Sequence, residues 1–218
     1  YVAKGMGGGA ISIALPAGAE FQGRDAALVG NTVLYGATGG YLFIAGRAGE
    51  RFAVRNSGGV AVVEGVGEHG CEYMTEGIVV VLGEAGRNFG AGMSGGLSFV
   101  LDPRGDFPTQ VNREFVTLER TSEAGEVDLL KALIERHEEE TGSVLAREIL
   151  NDWPVAVGSF WTVAPNSVAM EEGRADIVLR QLEVLQQRIS ATDATDTADV
   201  GPLPGSFEAA LVEPPNAP

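Results

Sequence analysis

Three glycine-rich stretches in this chain have the spacing of a phosphate cradle. Gly65-Val66-Gly67-Glu68-His69-Gly70 and Gly90-Ala91-Gly92-Met93-Ser94-Gly95 match G-x-G-x-x-G, and Gly5-Met6-Gly7-Gly8-Gly9-Ala10 nearly does. That pattern binds a dinucleotide when its last glycine opens a helix whose N-terminus faces the pyrophosphate. Here the following residues are CEYMTEG, LSFVLD and ISIAL, which are strand-like. The stretches are therefore expected to be corners of a β-structure and not nucleotide sites.

Groups that bind metals or move protons gather at Glu68, His69, Cys71 and Glu72. Neighbouring strand residues face opposite sides, so the four are not expected to converge, and structural zinc needs about four ligands at one point. A Cys71–His69 nucleophile pair lacks a third group to orient it. His137, followed by Glu138–Glu140, reads as a half-buried surface histidine. Arg51, Arg55, Glu64 and Arg87 read as members of buried charge ladders. A carbohydrate-cleaving β-helix would need clustered carboxylates, and the acids here are scattered. No residue is assigned a catalytic, cofactor-binding or metal-ligating role.

The elements that position these residues repeat. Gly39-Gly40 precedes YLFIAG, Gly58-Gly59 precedes VAVVEG, Glu76-Gly77 precedes IVVVLG and Gly95-Gly96 precedes LSFVLD. The second members stand at 40, 59, 77 and 96, in steps of 19, 18 and 19. An earlier unit, Gly8-Gly9 before AISIAL, is separated by the excursion PAGAEFQGRDAALVG. Each unit reads as strand, corner, second short strand (ERFAVRN, CEYMT, RNFGAGM), corner. Such a unit buries its apolar faces only by stacking on its neighbours. The expected fold is mainly β, a single-stranded right-handed parallel β-helix over 1–117, since parallel crossovers favour that hand. Gly40, Gly46, Gly49, Gly59, Gly67, Gly70, Gly77, Gly83, Gly86 and Gly96 are its expected corners, where φ > 0 favours glycine. This accounts for 31 glycines in 218 residues, about twice the usual share.

Beyond Leu101-Asp102-Pro103 an irregular exit with one strand (REFVTL) leads to a helical appendage over 118–189. Leu129, Leu130, Leu133, Ile134 and His137 share one helix face. Gly142 is a stop, Ser143 an N-cap, and Trp153-Pro154 a second stop. FWTVAP is extended, and Val178, Leu182, Leu185 and Ile189 define a third helix over 171–189. Residues 190–218 hold five acids, no bases and five prolines and are expected to be disordered.

A net charge of −15 repels phosphate backbones and anionic headgroups, so neither nucleic acid nor a membrane is an expected partner. A single cysteine makes no internal disulfide and suits a reducing cytosol, hence a cytoplasmic location. The start at Tyr1, directly in a strand pattern, suggests a piece of something longer.

The run YGATGGYLFIAGRAGERFAVRNSGGVAVVEGVGEHGCEYMTEGIVVVLGEAGRNFGAGMSGGLSFVLD (35–102) closely resembles the C-terminal GXGXG domain of the large subunit of glutamate synthase. YVAKGMGGGAISI and TGSVLAREILNDW are also similar to that family, and the match covers about 1–165. The resemblance implies part of an oxidoreductase that makes two glutamates from glutamine and 2-oxoglutarate, with the first coils of the domain absent here. By that resemblance the parent carries FMN and a 3Fe–4S cluster, and none of the matched positions is a catalytic, flavin or cluster residue. The implied partners are the amidotransferase and FMN-barrel domains, and a small electron-donating subunit. The alternative is a stand-alone scaffold subunit of another redox complex, as in formylmethanofuran dehydrogenase. Residues 166–218 depart from the family pattern: Ala164-Pro165-Asn166-Ser167 is followed by an acidic segment where a basic one is usual.

Overall fold

The computed structural model describes residues 1–16, 18–19, 22–166 and 171–195, with backbone alone for 171–172 and 186–195. Residues Tyr1–Leu182 form one compact unit. Its sheet stacks β1 (Gly7–Ile13), β3 (Gly39–Ile44), β5 (Ser57–Val63), β6 (Glu76–Val81) and β7 (Leu97–Leu101) in parallel, one strand per coil. Short β2 (Ala27–Val29) and β4 (Arg47–Ala48) pair in parallel on a second side. The chain is thus mainly β, a parallel solenoid with a few helices.

Register explains why these strands read as unbroken apolar runs. Leu42, Ala61, Val79 and Ser98 line up across four strands, as do Ile44, Val63, Val81 and Val100. All but Ser98 belong to the apolar interior of the coils. The alternate residues, such as Phe43, Val62, Val80 and Phe99, point the other way yet are also buried. Helix α1 (Ala124–Thr141) contacts β1, β3 and β5 and buries Leu129, Leu130, Leu133 and Ile134. A sheet covered on both faces loses the polar half of its alternation. The interior hydroxyl of Ser98 finds an acceptor in Cys71 Sγ at 3.4 Å, which suits the rule that buried polar groups are paired.

The second run of each unit is not a strand. Arg51, Ala53 and Arg55 have φ of +61°, +57° and +55°; the equivalent trio His69, Cys71 and Tyr73 has +65°, +57° and +54°. Left-handed residues therefore alternate with ordinary ones. Their N–H groups bond in both stacking directions. Arg51 N–H and Arg55 N–H donate to Glu68 O and Glu72 O of the next coil, and Ala53 N–H donates to Val33 O of the previous one. These bonds offset a left-handed cost of about 1–2 kcal/mol per residue. Phe52, Ala53 and Val54 are consecutive and all buried, which a strand beside solvent does not allow.

The exit also differs from expectation. β8 (Val116–Arg120) and β9 (Phe160–Pro165) join the same sheet antiparallel, β9 beside β7 and β8 outermost. The boundary expected at 117 thus falls inside a strand of this sheet. Gly142 ends α1 with φ +67°, its N–H on Glu138 O. Helices α2 (Val144–Asn151) and α3 (Trp153–Ala156) follow, Ser143 capping α2 through Ala146 N–H. Helix α4 (Glu171–Thr195) continues past 189; the rest of the expected tail, 196–218, lies outside the described residues. No helix among the described residues is long and apolar enough to cross a membrane.

Candidate functional site

The strand β5 ends its apolar run Val60–Val63 with an acid. Glu64 N–H donates to Gly46 O across the coil interface, which fixes the backbone and turns the carboxylate toward the helices. There Ser143 Oγ, at the start of α2, donates a short hydrogen bond to Glu64 Oε1 while accepting Ala146 N–H at 3.0 Å. His137, near the end of α1, places Nε2 3.9 Å from the same Oε1. The Glu64 side chain is 3% exposed and that of His137 0%. Both His137 ring nitrogens are buried with no hydrogen-bond partner among the described residues. Its ring packs beside Phe43, centroids 6.1 Å apart.

Three polar side chains from one coil and two helices thus meet in the interior. Ser143 is buried and its lone pair is taken by the cap, so it is not set up as a nucleophile for a substrate. Its hydroxyl bond joins the helices to the coil, and a carboxylate acceptor makes such a bond stronger than a neutral one.

Three further carboxylates fasten the appendage. Glu126 accepts from Thr162 Oγ1 at 2.9 Å and from Arg174 Nη2 at 2.7 Å, and Arg174 Nη1 reaches Glu119 at 2.7 Å. Burial works against the Arg174 charge, but the Glu119 hydrogen bond and the Glu126 charge outweigh it and hold its pKa above the usual value. Asp102 accepts backbone N–H bonds from Gly105, Asp106 and Phe107, and the Trp161 indole N–H at 2.9 Å.

Of Glu68, His69, Cys71 and Glu72, the structure brings three together and turns the fourth inward. His69 Nδ1 lies 2.7 Å from Glu72 Oε1 and Nε2 3.8 Å from Glu68, so three of that cluster do converge, because the turn is not a strand. Cys71 points inward, fully buried, and burial pushes its thiol up to about 12 despite the Ser98 hydrogen bond. Among the described residues no group of three or more His, Cys, Asp or Glu is arranged to hold a metal. With one cysteine in the sequence, and that one spent in the core, the chain cannot supply the thiolate set of an iron–sulfur cluster. The expected charge ladders are corrected: Arg51, Arg55 and Arg87 are exposed, Arg87 pairs with Glu68, and Glu64 meets His137 and Ser143 instead. His137 is corrected from half-buried to fully buried.

The ten expected corner glycines fall into two kinds. Gly40, Gly77 and Gly96 have φ of +92°, +96° and +78°. The other seven lack a left-handed φ and sit where coils touch. A Cβ on Gly67 would lie 2.9 Å from Glu50 N and one on Gly86 2.6 Å from Glu68 N; on Gly49 it would strike Asn31 Oδ1. Gly46 backs onto Leu28, Gly83 onto Glu64 O, Gly70 onto the Phe89 ring, and Gly59 onto Asn56 Oδ1. None of the three G-x-G-x-x-G-like stretches opens a helix: left-handed turn residues follow Gly70, β7 follows Gly95, and the first runs into β1.

Sequence reasoning missed buried Asn56, whose amide donates to Gly59 O at 2.8 Å and accepts Gly59 N–H at 2.9 Å. Its signal was an asparagine two residues before the double glycine Gly58-Gly59, a common local hydrogen-bonding arrangement.

Residues 1–166 match the family model described as GXGXG motif. The chain is 55% identical over 170 residues to the ferredoxin-dependent glutamate synthase of Pyropia yezoensis, covering 78% of this chain and 11% of that protein. It is 51% identical over 168 residues to the glutamate synthase [NADPH] large chain of Azospirillum brasilense, covering 77% and 11%. With the glutamate synthase [NADH] of Schizosaccharomyces pombe it shares 50% over 165 residues, covering 76% and 8%. The chain spans about a tenth of the length of the curated relatives it matches.

Proposed function

The chain belongs to the GXGXG motif family, and on that premise we propose that it is a structural, non-catalytic part of a glutamate synthase. It braces the amidotransferase and FMN domains of an enzyme that converts glutamine and 2-oxoglutarate into two glutamates. FMN and the 3Fe–4S cluster belong to other parts of that enzyme, and a small electron-donating subunit is a further proposed partner. The proposed location is the cytoplasm, in keeping with one unpaired cysteine.

One observation carries this reading. Relatives named for ferredoxin, NADPH and NADH match this segment at 55%, 51% and 50% identity. A segment that chose the electron donor would diverge between them, whereas a shared brace has no reason to. The buried cluster supports the same reading, because Glu64, His137 and Ser143 face each other and offer no group to a substrate.

The test is to read the reading frame around this segment and assay the polypeptide it encodes. The expected product shows flavin and iron–sulfur absorbance and forms glutamate from 2-oxoglutarate only when glutamine and a reductant are supplied. A polypeptide with neither chromophore and no such activity overturns the reading in favour of a stand-alone scaffold subunit.

A further inference from the structure

The left-handed turns carry side chains that the backbone there does not call for. Bonds from each coil to the next put Gly36, Arg55, Tyr73 and Gly92 in one column. Gly36 N–H donates to Val54 O, Arg55 N–H to Glu72 O and Tyr73 N–H to Ala91 O. All four are left-handed, with φ of +61°, +55°, +54° and +66°. Glycine adopts that conformation without strain and a residue with a Cβ does not. The two outer coils use glycine at this position. The two middle coils use arginine and tyrosine, although glycine would make the same N–H bonds. Arg55 is exposed, and its guanidinium makes no ion pair or hydrogen bond among the described residues. Tyr73 is 56% exposed. Its ring leans over Gly92, where an added Cβ would lie 2.5 Å from Cδ1, and its hydroxyl has no partner among the described residues. Arg51, at the other end of the Arg55 turn with φ +61°, is likewise exposed and unpaired among them. Backbone strain kept under an exposed side chain that has no internal partner points to a role outside the fold.

Arginines without an acid are unusual in this chain, which has 30 acidic residues to 15 basic ones. Among the other described side chains every arginine pairs with a carboxylate except Arg113 and Arg120, and Arg120 lies over the Trp161 ring. The acids beside the turn are engaged or turned away. Glu72 faces His69 at 2.7 Å, Glu68 faces Arg87 at 2.7 Å, and exposed Glu50 forms no ion pair with Arg51. A guanidinium bonds a carboxylate through two parallel N–H groups. Arginine and tyrosine are also the side chains enriched where protein surfaces dock. A net charge of −15 repels a polyanion, whereas a few carboxylates on a protein segment meet the arginines at contact range, inside the screening length. We propose that Arg51, Arg55 and Tyr73 form a docking surface for an acidic segment of another domain of the same polypeptide. Its carboxylates sit on the two guanidiniums and its apolar atoms on the Tyr73 ring. The chain spans about a tenth of its relatives' length, and the source of the segment rests on the reading of this chain as part of a larger enzyme.

The test compares the 218-residue chain with the polypeptide encoded by the reading frame around it. Phenylglyoxal should modify Arg51 and Arg55 at least about tenfold more slowly in the polypeptide, read by peptide mass spectrometry, because reaction there waits on opening of the contact. Arg55→Gly relieves the left-handed strain and removes no partner within this chain. It should therefore hold or raise the thermal midpoint of the 218-residue chain and lower that of the polypeptide. In the polypeptide Arg55→Glu should lower the midpoint further than Arg55→Lys, which keeps the charge. The proposal is overturned if both arginines react at equal rates in the two proteins, if Arg55→Gly destabilises the 218-residue chain as much as the polypeptide, or if Arg55→Glu is no worse than Arg55→Lys. Flavin absorbance and glutamate formation are scored separately. A polypeptide that protects both arginines but lacks that activity supports the docking surface and overturns the reading as glutamate synthase.

Discussion

At the scale of single residues, the coil interior tolerates a thiol because the thiol is neutral. Burial raises Cys71 to about 12. A group whose folded pKa is raised contributes stability below its unfolded pKa and loses it as pH rises toward the folded value. Stability should therefore begin to fall above about pH 9, where an unfolded thiol starts to ionise. At pH 8 the native chain should leave an aromatic disulfide reagent unreacted over the time in which a urea-unfolded sample reacts fully. Rapid native reaction would mean that Cys71 is not in the core. The Glu64 cluster separates a bonded from an unbonded polar group. Ser143→Ala removes a cap and strips Glu64 of its donor, so it should cost about 1–3 kcal/mol in urea unfolding. His137→Leu removes ring nitrogens that bond to nothing among the described residues, and should cost under about 1 kcal/mol or stabilise. The reverse order would mean that His137 holds the cluster together. This burial was legible in part, since His137 continues the apolar stripe of Leu133 and Ile134; the three glutamates after it masked the signal. Glu64 carried a signal as well, as an acid ending a buried strand, but its partners lie more than seventy residues away and nothing local names them.

At the scale of elements, coil spacing decides which glycines matter. Adjacent strands lie about 4.8 Å apart, and the corners bring backbone against backbone. A Cβ on Gly95 would strike Thr75 O, whereas one on Gly8 meets nothing within 4 Å. Gly95→Ala should cost about 3 kcal/mol or more, and Gly8→Ala should be neutral; equal thermal midpoints would remove the close-approach explanation. The strands could be read from YLFI, VAVV, IVVV and LSFV because covering both faces leaves continuous apolar runs. The left-handed turns could not, because Arg51, His69 and Tyr73 are not residues whose type announces φ > 0. What sets their conformation is bonding to coils above and below, a tertiary cause with no local signature. Glu84 joins two corners electrostatically. The Arg104 hydrogen bond and charge, then the Arg47 charge, hold its carboxyl below the usual range. Its contribution is present above the ordinary carboxylate range and is lost as pH falls through the lowered value. The side chain is 49% exposed, so solvent screening keeps the effect under about 1 kcal/mol. Glu84→Gln should flatten the acid limb of the stability profile, and an unchanged limb would mean that the bridge is not formed in solution.

At the scale of the whole molecule, the coils bury their apolar runs against one another and against helix α1. Glu64, His137 and Ser143 are turned inward toward each other, and the appendage is fastened to the sheet through Glu64, Glu126 and β9. Such a body transmits position, and its proposed role is to hold catalytic domains at a fixed distance. That role separates stability from turnover. The most direct measurement is the steady-state kinetics of the full glutamate synthase carrying Ser143→Ala, taken well below its thermal midpoint. A lowered Tm is expected, with kcat and both KM values, for glutamine and 2-oxoglutarate, within about twofold of the parent. A kcat reduced a hundredfold in fully folded enzyme would place this cluster in the reaction itself and contradict the reading of the chain as a brace.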